Sequence, residues 1–228
     1  TAFQARPAGA ELNCCSVNGP RIFGMISDWA VMAPAAGGLA LNYYGPGTIT
    51  APLTPDNHVA LMQSTDYPRE NSVSVTVQPE RPARFALSLR IPYWSEQTTV
   101  RVNDEAISDV RPGQYLTLDR TWNPGDRIAI EFDFRFHFWA KEGSPALASI
   151  YRGPILLAYD PRFNPPGDVP VLDAAGLTGA WIEVEGWLKP CLLMEFPAEN
   201  GHTVRLCDFG SAGTAGHAYR SWLPVRFP

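Results

Sequence analysis

The chain has 228 residues, enough for one large domain or two small ones that each bury a core. Hydrophobic residues make up 45% of it and charged residues 18%, and no apolar run approaches the roughly 18 residues that a transmembrane helix needs. The net charge of −5 and the scattered Lys and Arg residues form no basic stripe. We therefore expect neither a membrane span nor a nucleic-acid partner.

The first ten residues, "TAFQARPAGA", have no starting Met and lack the charged-then-apolar layout of a signal peptide. We therefore expect a piece of a longer protein or a processed product. The cellular location stays unknown, and a cytoplasmic and a periplasmic parent are both compatible with this beginning. Four cysteines in a chain of this length do not resemble a disulfide scaffold, so free thiols are expected.

One stretch has the spacing of an amphipathic helix. Its apolar positions recur every three or four residues and fall on one face: Ile22, Phe23, Met25, Ile26, Trp29 and Ala30. Pro20 suits the first helical position, and Asn18 or Gly19 can serve as the cap. The pattern predicts a helix from about residue 20 to 33.

The pattern then changes to a period of two. Strand-like runs such as "SVSVTVQP" and "ARFALSLRIP" follow at intervals of roughly ten residues, divided by Pro, Gly, Asn and Asp. A second β-region follows from about residue 140, interrupted by the Pro-rich connector "DPRFNPPGDVPVL". The sequence predicts a mainly β protein with two antiparallel β-sandwich domains, residues 37–140 and 141–228, behind one short helix.

Cys14 and Cys15 stand side by side just before the predicted helix. In one interpretation they are small apolar residues at a helix entrance. In the other, both thiols face one metal or one substrate, because the positive end of a helix favours a thiolate, which is both a nucleophile and a zinc ligand. Two sulfurs cannot fill a tetrahedral zinc shell, and Glu11 is the nearest further candidate.

Other candidates favour structural roles. Cys191, His202, Cys207 and His217 have no zinc-site spacing, and the two thiols are expected in the core. The acidic residues of predicted turns are expected in solvent: Asp104, Glu105, Asp119 and Asp126. Aromatic residues that could stack on sugars are expected mostly to fill the core or the seam between domains: Tyr43, Tyr44, Tyr93, Trp94, Trp122, Trp139, Trp181, Trp187 and Trp222.

Several segments together resemble the carboxy-terminal part of glycoside hydrolase family 127, the β-L-arabinofuranosidases. They are "ELNCCSVNGPRIFGMISDWAVM", "GLALNYYGPGTITAPL", "DYPRENSVSVTVQPERPARFALSLRIPYWS", "VRVNDEAI", "GQYLTLDRTWNPGDRIAIEF" and "ASIYRGPILLAY". They occur in the same order and cover most of residues 11–160. The resemblance implies a helical α/α barrel that carries the active site, followed by β-sandwich domains. Residues 1–36, with the paired cysteines and the helix, would then be the end of that barrel.

The resemblance also implies a chemistry. Cys14 would be the nucleophile and a zinc ligand, Cys15 a second zinc ligand, and a Glu the acid/base of a retaining glycosidase. The acid/base and the remaining ligands would lie in barrel sequence before residue 1, and Glu11 is assigned neither role. We therefore expect a carbohydrate substrate, zinc only in the complete enzyme, and an isolated chain that is inactive until the barrel is supplied in cis or in trans.

A second hypothesis stays open. The chain would then be a non-catalytic β-sandwich module that binds carbohydrate or supports another domain. Under either hypothesis the apolar face of the helix, with Ile22, Met25, Ile26 and Trp29, needs a partner. Without the barrel we expect a homodimer or a rearranged amino terminus.

Overall fold

The computed structural model describes residues 14–228, except for the side chains of residues 14–17, Pro20 and Pro145. The described chain divides into two compact units, residues 14–133 and 134–228. None of the described helices is long and apolar enough to cross a membrane.

The first unit has one helix and two sheets. The sheets have the strand orders β1-β2-β6-β9 and β3-β4-β5-β10-β7-β8. Neighbouring strands are antiparallel except for the parallel pair β2 and β6. The elements are α1 (Cys14–Ala30), β1 (Val31–Met32), β2 (Leu39–Leu41), β3 (Gly47–Thr54), β4 (Asn57–Ser64), β5 (Ser72–Pro79), β6 (Ala83–Arg90), β7 (Thr99–Val102), β8 (Glu105–Ala106), β9 (Tyr115–Trp122) and β10 (Asp126–Glu131).

The alternating pattern of the sequence determines which face of each strand is buried. On β5, Val73, Val75 and Val77 are at most 2% exposed, and the Ser and Thr residues between them remain partly exposed. On β6 of the other sheet, Leu87 and Leu89 are fully buried. One apolar face on each sheet confirms the predicted β-rich, sandwich-type domain.

The helix differs from its predicted range of 20–33. It begins at Cys14 and ends at Ala30, so Pro20 lies inside it and cannot donate a helical hydrogen bond. Its end is set by the sheet, because Val31 and Met32 pair with β2. Backbone groups committed to a strand pair cannot continue the helix, a tertiary effect that the 3.6-residue period does not show.

The second unit is built on one sheet with the strand order β14-β18-β12-β13-β17-β16-β15, and β11 pairs with β12. All of its pairs are antiparallel except β14 with β18. The strands are β11 (Phe136–Lys141), β12 (Ser144–Arg152), β13 (Ile155–Tyr159), β14 (Leu172–Asp173), β15 (Ala180–Trp181), β16 (Leu193–Pro197), β17 (Thr203–Asp208) and β18 (Leu223–Arg226).

The sheet of the second unit divides at β12. One edge of this strand pairs with β11, and the other pairs with β18 at residues 147–148 and with β13 at residues 150–152. Two groups of strands, one starting with β18 and the other with β13, therefore extend from the same edge of β12. Both contribute to one hydrophobic cluster. Among its fully buried members are Ile150 of β12, Phe196 of β16 and Leu223 of β18.

The two compact units divide the chain at a different place from the domain boundary predicted near residue 140. Residues 14–36 lie in the same compact unit as residues 37–133. The second unit begins at Phe134, before the predicted start at 141, because β11 pairs with β12 along its length. Turn signals near residue 140 mark the hairpin between these two strands, and a hairpin turn resembles a domain boundary in sequence.

Candidate functional site

The paired cysteines occupy the first two positions of α1. Their side chains lie outside the described residues, as does the whole of Glu11. The sequence predicts them just before the helix, whereas the helix begins with them. At the start of a helix the unpaired N–H groups carry a partial positive charge, which lowers the pKa of a thiol placed there.

The other end of α1 is fixed to the first unit by Asn42. Its backbone N–H donates to the carbonyl of Ala30 over 2.8 Å, and its Nδ2 donates to the carbonyl of Trp29 over 2.8 Å. The last carbonyls of a helix have no partner within it, so these two donors satisfy groups that otherwise need water. Asn42 therefore fixes where the helix leaves the sandwich.

Asn42 is held in turn by two residues of the strands β6 and β9. Tyr115 donates its hydroxyl to Oδ1 of Asn42 at 2.5 Å, and Nε of Arg90 donates to the Asn42 carbonyl at 2.9 Å. The hydroxyl of Tyr44 donates to the carbonyl of Arg90 at 2.9 Å. Burial raises the pKa of Tyr44 and the Arg90 charge opposes this only in part, so Tyr44 stays a neutral donor. We call Asn42, Tyr44, Arg90 and Tyr115 the helix anchor.

Zinc is the metal that the sequence resemblance implies. Two thiols fill only half of a tetrahedral zinc shell. Among the described residues, no group of three or more His, Cys, Asp or Glu side chains could hold a metal ion. The described side chains therefore offer no zinc site of their own.

The remaining two cysteines differ from each other. Cys207 on β17 is fully buried, and burial raises the pKa of its thiol to about 12. It is the core thiol that the sequence predicts. Cys191 is exposed, so its predicted place in the core is wrong. It precedes β16 and lies outside the strand, although the apolar residues after it resemble strand sequence.

The second unit contains a buried ion pair that the sequence analysis missed. Asp160 is fully buried and accepts hydrogen bonds from N–H of Arg162 at 2.9 Å, Nε of Arg162 at 3.0 Å and N–H of Gly213 at 2.9 Å. Burial raises the pKa of Asp160, but these bonds more than offset it and the pKa lies below its usual range. The Asp-Pro step at 160–161 could have indicated a structural role for Asp160 from sequence, because an Asp before Pro commonly caps a turn.

The predicted exposure of two groups of residues needs correction, the acidic turn residues and the aromatic residues. Asp126 is 9% exposed, because its carboxylate accepts from Nδ2 of Asn103 and from N–H of Asn123, each at 2.9 Å. Trp122 is fully buried, as predicted for a core aromatic, but Tyr93 is 71% exposed. Further aromatic residues predicted to pack are also exposed, among them Trp139, Trp187 and Tyr43.

Most of the first unit matches a known sequence family. Residues 38–134 match the family described as "Beta-L-arabinofuranosidase, GH127 middle domain". These residues therefore resemble the middle domain of that family. This confirms the resemblance to glycoside hydrolase family 127 inferred from the sequence, and this domain supplies all four residues of the helix anchor.

The solved structures that resemble this chain match a longer part of it than residues 38–134. One, titled "Glycoside hydrolase", matches with a TM-score of 0.81 and 22% identity over 98% of this chain and 42% of its own. A GH127 β-L-arabinofuranosidase from Geobacillus stearothermophilus T6 matches with a TM-score of 0.77 and 20% identity over 93% of this chain and 37% of its own. A third, a GH127 β-arabinofuranosidase, has a TM-score of 0.67 at 16% identity over 83% of this chain and 36% of its own.

These likenesses describe the fold, since the identities do not exceed 22%. The chain spans less than half the length of each of these three proteins. A sequence search of curated proteins found no match.

Proposed function

We propose that the chain is part of a retaining glycoside hydrolase that acts on β-L-arabinofuranosides or related plant-glycan sugars. The observation that carries the proposal is the position of the segment that matches the GH127 middle domain, which starts at residue 38 and follows a helix that begins with Cys14 and Cys15 and ends at Ala30. The fold likeness to proteins titled as GH127 arabinofuranosidases supports it.

In this proposal Cys14 is the nucleophile. Its thiolate attacks the anomeric carbon, so a sulfur–carbon bond forms as the glycosidic carbon–oxygen bond breaks, and a general acid protonates the leaving oxygen. Water deprotonated by the same group then attacks the anomeric carbon and displaces the thiolate. Two inversions at one carbon retain the configuration.

The acid/base and the sugar-binding residues of this proposal belong to a helical barrel supplied in cis or in trans. General acid–base help contributes about 10²- to 10⁴-fold, and substrate positioning often contributes more. A polypeptide limited to these 228 residues is therefore inactive on its own in this proposal. Cys14 and Cys15 act as zinc ligands only when a barrel provides the rest of the shell.

The apolar face of α1 is the surface on which this proposal places the barrel. Ile22, Phe23, Met25 and Ile26 are 39–74% exposed in the first unit. In the absence of a barrel the same face favours the predicted homodimer. Sedimentation with and without the barrel tests this step: the barrel should shift the chain from self-association to a one-to-one complex, and a monomer in both cases contradicts it.

The experiment that tests the function supplies the barrel. The chain is expressed as part of a longer reading frame, or with a barrel in trans, and hydrolysis of p-nitrophenyl β-L-arabinofuranoside is measured. Cys14→Ala should abolish turnover, whereas Cys191→Ala, which removes an exposed thiol of the second unit, should preserve it. Zinc content measured by mass spectrometry should fall in Cys15→Ala. Full turnover in Cys14→Ala contradicts the proposal.

The alternative is a carbohydrate-binding module, and one observation favours it. Tyr93 and Tyr115 of the first unit are 71% and 51% exposed, and exposed aromatic rings can stack on sugars. A binding module predicts saturable arabinan affinity that Tyr93→Ala reduces and that Cys14→Ala leaves unchanged. The hydrolase proposal predicts that Cys14→Ala abolishes turnover and that Tyr93→Ala leaves it unchanged.

A further inference from the structure

A depression of about 390 Å³ lies on the second unit. Tyr159 and Pro161 line one part of it, Pro165 and Pro166 another, and Tyr219 and Arg220 a third. Its size falls within the usual range for small-molecule sites. The prolines of this region belong to the Pro-rich segment predicted as a connector.

The walls of the depression are fixed by hydrogen bonds. Tyr159 and Arg220 exchange backbone hydrogen bonds of 2.8 and 3.0 Å, which join the end of β13 to the segment before β18. Asn164 donates to the carbonyls of Asp160 and Arg205 and accepts from the Arg205 N–H, so its amide is fully engaged. A ligand would therefore bind to a preformed surface, and little conformational entropy would be lost on binding.

The ring of Tyr219 is positioned by the same buried network that holds Asp160. Gly213 donates its N–H to Asp160 and has a φ of +73°, and a Cβ at this position would lie 2.6 Å from the Tyr219 ring. Phe209 packs edge-on against that ring, with centroids 5.5 Å apart. Tyr219 is thus held between neighbours at the wall of the depression.

The polar groups that remain available point to one class of ligand. Arg220 is the only charged residue among the described residues that line the depression, and it is exposed. Within the described part of the chain its guanidinium makes no hydrogen bond or ion pair. A single guanidinium pairs in a bidentate manner with a carboxylate, and the faces of Tyr and Pro rings suit the C–H face of a sugar.

We propose that this depression binds a uronic acid residue of a glycan, with the sugar carboxylate on Arg220 and the sugar ring against Tyr219 and the prolines. The proposal concerns the second unit alone and does not depend on the hydrolase activity. It adds to the chain a site for an acidic saccharide, distinct in chemistry from the neutral arabinofuranoside.

The test is a titration of the whole chain with trigalacturonic acid, followed by calorimetry and by amide chemical shifts. The matched ligand is the methyl ester of the same trisaccharide, which keeps the sugar rings and removes the carboxylates. We expect the acid to bind at least about tenfold more tightly than the ester, as for a charge-assisted bidentate contact, with shifts at Gly167 and Ala218.

Arg220→Gln should weaken binding of the acid by about tenfold or more and leave binding of the ester unchanged. The substitution keeps the backbone bonds to Tyr159, so folding should be preserved, and the amide spectrum checks this. Arg127→Gln removes one exposed charge from the other unit and should leave binding unchanged. Equal affinity for acid and ester, unchanged binding in Arg220→Gln, or no binding at about 10 mM ligand would overturn the proposal.

Discussion

The buried carboxylate of Asp160 should be one of the most sensitive positions of the second unit. Replacement by Ala removes the acceptor of three hydrogen bonds, two from Arg162 and one from Gly213. Breaking a buried ion pair in this way typically costs about 3–5 kcal/mol. We expect the lower end, because the Arg162 side chain keeps 14% exposure and bonds to the carbonyls of Ser211 and Leu188.

The assay must separate the two units, because a chain with two compact parts need not unfold in one step. Hydrogen exchange in increasing urea, read by mass spectrometry, resolves peptides of each unit. A loss of about 3 kcal/mol shifts the urea midpoint of residues 134–228 by roughly 1–3 M. Peptides from β5 and β10 of the first unit should keep their midpoint.

The pH dependence gives a second measurement for Asp160. Its pKa in the folded chain is lowered from the ordinary 3.8, so the folded state favours the charged form. The stabilisation is therefore complete above pH 3.8 and is lost as the pH falls through the lower folded value. The difference between Asp160→Ala and the unchanged protein should shrink below about pH 4.

Two controls make the reasoning refutable. Asp160→Asn keeps the shape but directs N–H groups at N–H donors, so it should destabilise by about 1.5–3 kcal/mol. Asp173→Ala breaks an exposed pair with Arg226 in the same unit and should have little effect. An Asp160→Ala midpoint equal to that of Asp173→Ala, or an equal loss in both units, would refute the argument.

Three further outcomes are expected. Asn42→Ala should raise hydrogen exchange in α1 and lower the free energy of unfolding by about 1–3 kcal/mol. Asn42→Asp should have an intermediate effect, because it keeps the acceptor for Tyr115. Unchanged exchange in α1 would contradict the role of the helix anchor. Gly38→Ala should lower the thermal midpoint, because φ is +79° and a Cβ would overlap the Ala86 carbonyl. The expected loss in the free energy of unfolding is about 1–3 kcal/mol, and an unchanged midpoint would contradict this expectation. Iodoacetamide at pH 8.5 should label Cys191 and spare Cys207, whose buried thiol has a pKa of about 12, until urea unfolds the chain; labelling of native Cys207 would contradict its burial.

The sandwich of the first unit was predictable from local sequence because its strands alternate strictly. Val73, Val75 and Val77 specify a buried face without knowledge of any partner. The end of α1 was not predictable, since it depends on the pairing of Val31 and Met32 with β2. Local periodicity carries no information about such a partner.

The candidate site was predictable only in part. Residue type and position marked Cys14 and Cys15, whose side chains lie outside the described residues. The burial of Asp126 depends on Asn103, which is distant in sequence. Likewise, the buried carboxylate of Asp160 accepts one of its hydrogen bonds from Gly213, which lies in a segment more than fifty residues later.

The position of β18 has a consequence for synthesis on the ribosome. This strand lies between β14 and β12 and supplies Leu223 and Val225 to the core, yet it is formed by residues 223–226. Residues 134–222 therefore emerge with an open sheet and an unfilled interior, whereas residues 14–133 already contain all partners of their own strands. Translation should thus deliver a finished sandwich of residues 14–133 before the later half can close, and a pause before Leu223 is added should expose apolar surface to chaperones.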